Sequence, residues 1–226
     1  MTVKSLVFKI TLALVLLLCL LGIYTAFTWI MGDLYGYKVR YAVEQWQEQD
    51  GLPKVADINQ VIEDVDSAIG WEVDNPQYHE LKARALYYKA LAVGVDDEGL
   101  IYIESAKKSH ILAISLRPKW PYSWANLVLM KSYLKEWDDE YSAALDNAVR
   151  FGPWEQSVHL TLAHAGALSW THLSIEQKKA IAANVERGIV RNMQGIAFNL
   201  DAYKKRSLVC AYMQRDERQK KFCSKR

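Results

Sequence analysis

The sequence predicts an all-α protein in which one N-terminal transmembrane helix precedes a solenoid of antiparallel helix pairs. The first observation is a stretch without charged residues, 10–31, that is long enough to cross a bilayer. The second is the helical three-and-four spacing of apolar residues in the rest of the chain, without strand-like alternation of useful length. The third is a set of short turns rich in proline, glycine and aspartate, which fold neighbouring helices back on each other.

The transmembrane helix is predicted from residues 10–31, which read ITLALVLLLCLLGIYTAFTWIM. As a helix they extend about 33 Å, and the hydrocarbon core of a bilayer is about 30 Å thick. The alternative is a cleaved signal peptide, but its apolar segment usually has about 7–15 residues, and no clear small-residue cleavage site follows here. We therefore expect a cytoplasmic stub with the membrane helix, residues 1–32, and an exported helical domain, residues 33–226. Residues 10–31 make the lipid bilayer an expected partner.

The membrane orientation is predicted from the charges that flank the span. Two lysines and the terminal amine precede it, whereas Asp33 follows it and Lys38 and Arg40 come only later. Positive residues are enriched on the cytoplasmic side, so the N-terminus is expected in the cytoplasm and the body on the far side. The residues expected to form an aromatic belt at the outer interface are Tyr24, Phe27, Trp29, Tyr35 and Tyr37.

Three of the predicted body helices begin beside a residue with a capping role. Asp96 and Asp138 supply carboxylates for the unpaired amides of a helix N-terminus. Ser174 and Gln177 fit a capping box. Helices are expected to end at Pro118, Pro121, Gly152 and Pro153. The predicted helices cover residues 38–49, 55–69, 77–93, 99–116, 122–137, 139–151, 155–171, 175–192 and 196–213.

Residues 55–171 resemble a series of degenerate tetratricopeptide repeats, which are antiparallel helix pairs that stack side by side. In this family small residues let the second helix approach the first, a proline ends the unit, and a tryptophan and a leucine lead the next one. His110, Val128 and Tyr141 depart from that pattern. The repeat-packing residues that the resemblance implies are Ala106, Ala113, Pro118, Trp124, Leu127, Leu145, Ala148 and Pro153.

The tryptophans are candidates for ligand contact, because aromatic rings stack on sugars and on cations. Trp120 is the best candidate for a partly exposed ring and hence for contact with a ligand or partner. Trp124 is expected to face the core, and Trp137 and Trp154 are expected to close helix ends beside turns. Structural packing is the alternative for each of them, and it is the stronger one.

The histidines do not form a metal-binding motif. His159 and His164 are five residues apart, which places them off a common helix face. His110 is expected to replace an aromatic ring in a packed repeat position, and His79 and His172 are expected to be solvated near helix ends. We therefore expect no bound metal.

Acidic pairs are the only residues that suggest catalysis. Asp138 and Asp139 could act as a carboxylate pair, but capping of the following helix explains them without a further assumption. No nucleophile elbow, phosphate-binding loop or dinucleotide motif accompanies them. The expected protein is not an enzyme and carries no cofactor.

The C-terminal segment contains two further candidates. Cys210 and Cys223 either form a disulfide, worth about 3 kcal/mol in the chain-entropy model, or remain free thiols. Lys204, Lys205 and Arg206 either bind an anionic polysaccharide, lipid head groups or an acidic partner, or form a solvated cap on the solenoid. Nucleic acid is not an expected partner, because the net charge is only +2 and the body is expected to be exported.

Two runs support a closer resemblance: RPKWPYSWANLVLMKSYL, residues 117–134, and EWDDEYSAALDNAVRFGPWEQSVHL, residues 136–160. With the anchor and the terminal cysteine pair, they resemble the VpsP-like family of accessory proteins in bacterial exopolysaccharide biosynthesis. The resemblance implies a non-enzymatic scaffold, tethered to the bacterial inner membrane with a periplasmic body, that serves polysaccharide polymerisation or export. The implied partners are an inner-membrane polysaccharide polymerase, transporter or chain-length regulator. The alternatives are an assembly adaptor for another envelope complex and a carbohydrate-active enzyme.

Overall fold

A computed structural model describes residues 3–49, 51–214 and 216–224, and these residues form helices and turns without any strand. The predicted all-α class is confirmed. Residues 1–2 of the predicted stub with its membrane helix, and residues 50, 215 and 225–226 of the predicted helical domain, lie outside the described residues. The helices are α1 (Val3–Glu48), α2 (Val55–Trp71), α3 (Pro76–Val93), α4 (Asp97–Leu116), α5 (Pro121–Leu134), α6 (Asp139–Phe151), α7 (Gln156–Ser169), α8 (Ile175–Ala202), α9 (Arg206–Cys210) and α10 (Glu217–Ser224).

Helix α1 runs without interruption from the apolar N-terminal stretch into the body. The prediction of a separate helix that begins at residue 38 is therefore wrong, because residues 38–48 belong to the second half of α1. The connecting residues GDLYGY contain two glycines that the packing requires. A Cβ atom on Gly36 would collide with the ring of Tyr78, and one on Gly32 would lie 3.1 Å from Glu72 Cγ. The glycines let neighbouring helices approach α1 closely without breaking it.

The two halves of α1 have different surroundings. Apolar side chains from Val7 to Ile30 are exposed, and among the described residues α1 is the one helix long and apolar enough to cross a membrane. In the second half, Val39, Val43 and Trp46 are buried in a core cluster with α2 and α3. One helix is therefore both the candidate membrane span and the first core helix of the body.

Each helix packs on the next one in the chain, and α1, α3, α5 and α7 run in the same direction. The direction follows from the contacts, because the earlier residues of one helix meet the earlier residues of the next, and the later residues meet the later ones. The turns that precede α3, α5 and α7 therefore lie at the end of the body nearest the apolar stretch. The contacts that define these directions are Asp33–Tyr78, Trp46–Tyr88, Glu80–Trp120, Tyr87–Tyr133, Tyr122–Glu155 and Ser132–Ala165.

Helix α8 bends at Asn192, whose φ of −149° and ψ of 79° are not helical. The residues before the bend pack antiparallel to α7. The residues after it return alongside α7, where Asn199 Nδ2 donates to the Leu160 carbonyl oxygen at 2.9 Å. The sequence predicted separate helices at 175–192 and 196–213, whereas α8 continues through the bend to Ala202 and α9 follows as a short separate helix.

The predicted helix caps are also confirmed. The Asp96 carboxylate accepts hydrogen bonds from the first amides of α4. The Asp138 carboxylate accepts from the Tyr141 amide at 2.9 Å, and Ser174 and Gln177 form a reciprocal capping box at the start of α8. These local signals place the helix starts where the sequence alone predicts them.

Two tryptophans differ from their predicted surroundings. Trp124 is half-buried rather than wholly inside the core, and its indole N–H donates to the Pro118 carbonyl oxygen at 2.7 Å. Trp154 was expected to close a helix end, but it is 67% exposed because the α6–α7 turn projects it outwards. Substitution of the packed Trp124 can therefore be compared with the same substitution at the exposed Trp154.

Trp124→Ala is expected to lower the free energy of unfolding by about 2–3 kcal/mol, less than the 3–5 kcal/mol typical of a fully buried tryptophan. The change removes packing against the core and the hydrogen bond to the preceding turn. Chemical unfolding of the full chain in detergent micelles measures the effect. The control Trp154→Ala should change stability by less than about 0.5 kcal/mol. Equal stabilities of the two variants would contradict the packing of Trp124.

Candidate binding groove

The parallel helices α1, α3, α5 and α7 line a groove of about 750 Å³ on one side of the body. Sites that hold small ligands commonly measure about 300–1,000 Å³. The backbones of α3 and α5 scarcely approach each other, and side chains bridge the space between them. The groove therefore lies over the gap between α3 and α5 and extends towards α1 on one side and α7 on the other.

Trp120, the predicted contact residue, lies in the wall of this groove. Its indole N–H donates to the Glu80 carboxylate on α3 at 2.8 Å. The Arg117 guanidinium stacks 3.6 Å from the centre of its ring, and the Tyr122 ring packs against it edge-on. Burial raises the pKa of Glu80, although the Trp120 hydrogen bond and the positive charge of Arg84 partly offset that rise. These contacts fix the indole ring across the gap.

The charged residues of the groove carry an excess of positive charge. Three arginines line it, Arg40 from α1, Arg84 from α3 and Arg117 from the α4–α5 turn, against the carboxylates of Glu44 and Glu80. Guanidinium and amide groups are suited to the carboxylates and hydroxyls of a polar ligand. The lining amide and hydroxyl residues are Gln47, Gln77, Asn126, Ser157, Thr161 and Asn199.

A chain of aromatic hydrogen bonds connects four helices beneath the groove. The Tyr87 and Tyr133 hydroxyls are 3.3 Å apart, and His164 Nε2 lies 3.2 Å from the Tyr133 hydroxyl and 3.1 Å from that of Tyr203. Burial lowers the pKa of His164 to about 4, so its ring is neutral at neutral pH. Burial also raises the pKa of Tyr87 to about 12. The chain therefore links α3, α5, α7 and the end of α8.

The arginine and tyrosine of α3 in the groove were missed by the sequence reasoning. Glu80, Arg84, Tyr87 and Leu91 recur at spacings of three and four, so they share one face of α3. This polar face was readable in the sequence as a helical period. The sequence does not show that α5 lies opposite this face, because the gap between α3 and α5 forms only in the tertiary structure.

The other predicted site residues lie away from the groove. Cys210 and Cys223 are joined in a disulfide with their Cα atoms 5.9 Å apart. Lys204, Lys205 and Arg206 follow α8 beside the later part of α7, and Arg206 forms an ion pair with Asp201. Of the predicted repeat-packing residues, Ala106, Ala113, Leu127, Leu145 and Ala148 are buried, Trp124 and Pro153 are half-buried, and Pro118 is exposed.

The structure buries some of the histidines and leaves another exposed against an aromatic ring. His79 was expected to be solvated, but it is buried, and its Nε2 lies 2.7 Å from the Val73 carbonyl oxygen across the start of α3. His172 is exposed and stacks on the Trp137 ring at 3.7 Å. His110 is buried, and burial lowers its pKa to about 3. In the described part of the chain, no three His, Cys, Asp or Glu side chains are grouped as metal ligands.

The acidic run at the start of α6 surrounds a buried lysine. The Lys131 ammonium lies 2.9 Å from Asp138, 2.7 Å from Glu140 and 3.2 Å from Glu136. Burial acts to lower the pKa of Lys131, but the hydrogen bonds to the three carboxylates raise it above its ordinary value. For Asp138, burial is outweighed by the Lys131 hydrogen bond, so the pKa of Asp138 is lowered. Charged Lys131 and Asp138 thus hold the end of α5 to the start of α6.

Comparisons of this chain with protein-family models, with curated proteins and with solved structures give no match. The resemblance to the VpsP-like family therefore depends on the sequence runs alone. The geometry of the groove, rather than a known relative, supports the functional argument.

Lys131→Met is expected to lower the free energy of unfolding by about 2–3 kcal/mol, because it leaves three carboxylates close together without their cation. The effect should shrink as the pH falls through the lowered pKa of Asp138, where protonation removes the repulsion. Unfolding in urea measures both the loss of unfolding free energy and its dependence on pH, since urea does not screen charges. Lys108→Met is the control, because that side chain is 71% exposed. If both variants unfold alike, the Lys131 contacts do not stabilise the fold.

The stability of the protein is expected to fall as the pH decreases from 6.5 towards 4. Burial lowers the pKa of His110, His159 and His164, so the unfolded chain binds more protons in this range than the folded chain does. His164→Gln should reduce the slope of unfolding free energy against pH by about 1 kcal/mol per pH unit. The exposed His172→Gln is the control. An unchanged slope in His164→Gln would mean that His164 is protonated in the folded state.

Proposed function

We propose that the protein is a membrane-anchored, non-enzymatic scaffold whose groove binds an extended polar segment of a partner. The observation that carries the proposal is a groove lined by arginines, amides and an immobilised tryptophan, on a body whose first helix continues into the candidate span. Arginine and tryptophan are the residues that most often dominate binding energy at protein interfaces. Tethering through α1 raises the effective concentration for a partner in the same membrane, so modest affinity suffices.

The body of this scaffold is, in our proposal, a tetratricopeptide-like solenoid. The common direction of α1, α3, α5 and α7, with an oppositely directed helix after each, supports that arrangement. Burial of the small residues Ala106, Ala113 and Ala148 supports it too, since small side chains permit close helix approach. In such a stack the first helices of successive pairs form one continuous surface, and that surface contains the groove.

Binding without catalysis is supported by the roles of the acidic residues. Asp96 and Asp138 cap helices, and Asp138 also holds Lys131. Within the groove, the Glu80 carboxylate accepts the indole N–H of Trp120, which commits it to bridging α3 and α5. These carboxylates have structural tasks, and a scaffold needs nothing further from them.

The finer proposal is an accessory role in bacterial exopolysaccharide biosynthesis, polymerisation or export, on the inner membrane with a periplasmic body. The disulfide between Cys210 and Cys223 supports an oxidising compartment for the body. The proposed partners are a polysaccharide polymerase, transporter or chain-length regulator in the same membrane. An excess of arginines in the groove also suits contact with an anionic polysaccharide.

The test is deletion of the gene in its native host with measurement of extracellular polysaccharide. Loss of polymer is expected, and the intact protein should restore it. An exported form that begins at Gly32, and so lacks the span, should not restore it at equal protein level. Unchanged polymer after deletion would reject the polysaccharide role and leave an envelope adaptor with another partner.

A charge reversal tests the groove in the same assay. Arg84→Glu places a carboxylate in the groove and is expected to reduce restored polymer strongly, because it removes the excess positive charge. Arg150→Glu, an exposed position on α6 that does not line the groove, is the matched control and should restore fully. Equal restoration by both variants would show that the groove is not the binding surface.

A further inference from the structure

The turn between α2 and α3 contains exposed apolar residues beside the apolar stretch of α1. We define the proximal turn as residues 71–75. Trp71 is 38% exposed and Val73 is 63% exposed. The Trp71 ring packs edge-on against Phe27 of α1, with the ring centres 5.7 Å apart. A body residue thus contacts the stretch that was read as membrane-spanning.

The position of Phe27 sets the depth of the proximal turn. Phe27 precedes Met31, the last residue of the charge-free stretch, by four residues, which corresponds to about 6 Å along the helix axis. Trp71 contacts that level, and the next residue, Glu72, lies against Gly32. Tryptophan is enriched at this depth of a bilayer, because its ring is apolar while its N–H needs a polar partner.

The attachment of the proximal turn to α1 is rigid. The Tyr78 hydroxyl donates to the Asp33 carboxylate at 3.1 Å, and the Tyr78 ring occupies the space left by the missing side chain of Gly36. The Asn75 amide group donates to the Glu72 carboxylate at 2.8 Å within the turn itself. The turn therefore cannot leave the level of residues 27–33 without disrupting the packing of α3 on α1.

We propose that the proximal turn is seated in the head-group interface of the bilayer that α1 spans, with Trp71 and Val73 in contact with lipid. The inference rests on the membrane anchoring in the proposed function. Two attachments, the span and the turn, fix both the distance and the rotation of the body relative to the membrane. The groove consequently opens along the membrane surface in one direction.

Spin labels on single cysteines measure the depth directly. Val73→Cys is compared with Val95→Cys, an exposed valine in the α3–α4 turn at the opposite end of the body. Both are made in a Cys19→Ala background, and labelling without prior reduction keeps the Cys210–Cys223 disulfide closed. The full chain is placed in vesicles of phosphatidylethanolamine and phosphatidylglycerol. The ratio of oxygen to nickel-chelate accessibility is expected to be several-fold higher at residue 73 than at residue 95.

A label on native Cys19, which is exposed on α1, separates failure of this inference from failure of the anchoring. An oxygen-rich, nickel-poor label at residue 19 with a water-like label at residue 73 overturns the seated turn and leaves the anchoring intact. Water-like labels at both residues overturn the anchoring itself. An immobilised label at residue 73 that neither reagent reaches means protein contact at the turn and also overturns the proposal.

Discussion

The packing of Tyr78 against Gly36 is the contact on which the arrangement of the protein depends. It brings α3 onto the middle of α1, at the point where the apolar stretch passes into the body core. Because α1 is continuous there, the candidate span and the first core helix share one helix axis. The orientation of one therefore fixes the orientation of the other. A larger residue at position 36 would separate α1 from α3, and with them the candidate span from the groove wall.

The groove exists because of a second constraint: the backbones of α3 and α5 do not approach each other closely. Close packing of these helices would leave no cavity, whereas a gap without bridging side chains would admit water to the core. The structure fills the gap in two layers. Glu80 and Trp120 bridge it near the end closest to the apolar stretch, and the hydrogen-bonded Tyr87, Tyr133 and His164 bridge it farther along. The groove is therefore a preformed feature whose walls need little reordering to bind.

Local signals in the sequence predicted the local features of the fold. The caps at Asp138 and Ser174 depend on neighbouring residues, and each was predicted correctly. The continuity of α1 was not, because a change from apolar to charged residues ends a membrane span without ending a helix. Trp154 was misplaced because the outward direction of a turn depends on the helices around it. The groove could not be predicted at all, since its two sides, α3 and α5, come together only in the tertiary structure.

The distribution of chemistry along the helix axes gives the body two different ends. Turns at the end nearest the apolar stretch carry Trp71, Val73 and Trp154, all exposed, whereas the opposite end carries the Lys131 cluster of partly exposed carboxylates. Arg40, the first residue of α1 that lines the groove, lies nine residues beyond Met31, which is about 14 Å along the helix axis from the end of the charge-free stretch. In the proposed function, a partner segment that leaves the same membrane would cover that distance with about four or five extended residues. The segment that fits the proposal best is therefore one that directly follows a neighbouring transmembrane helix.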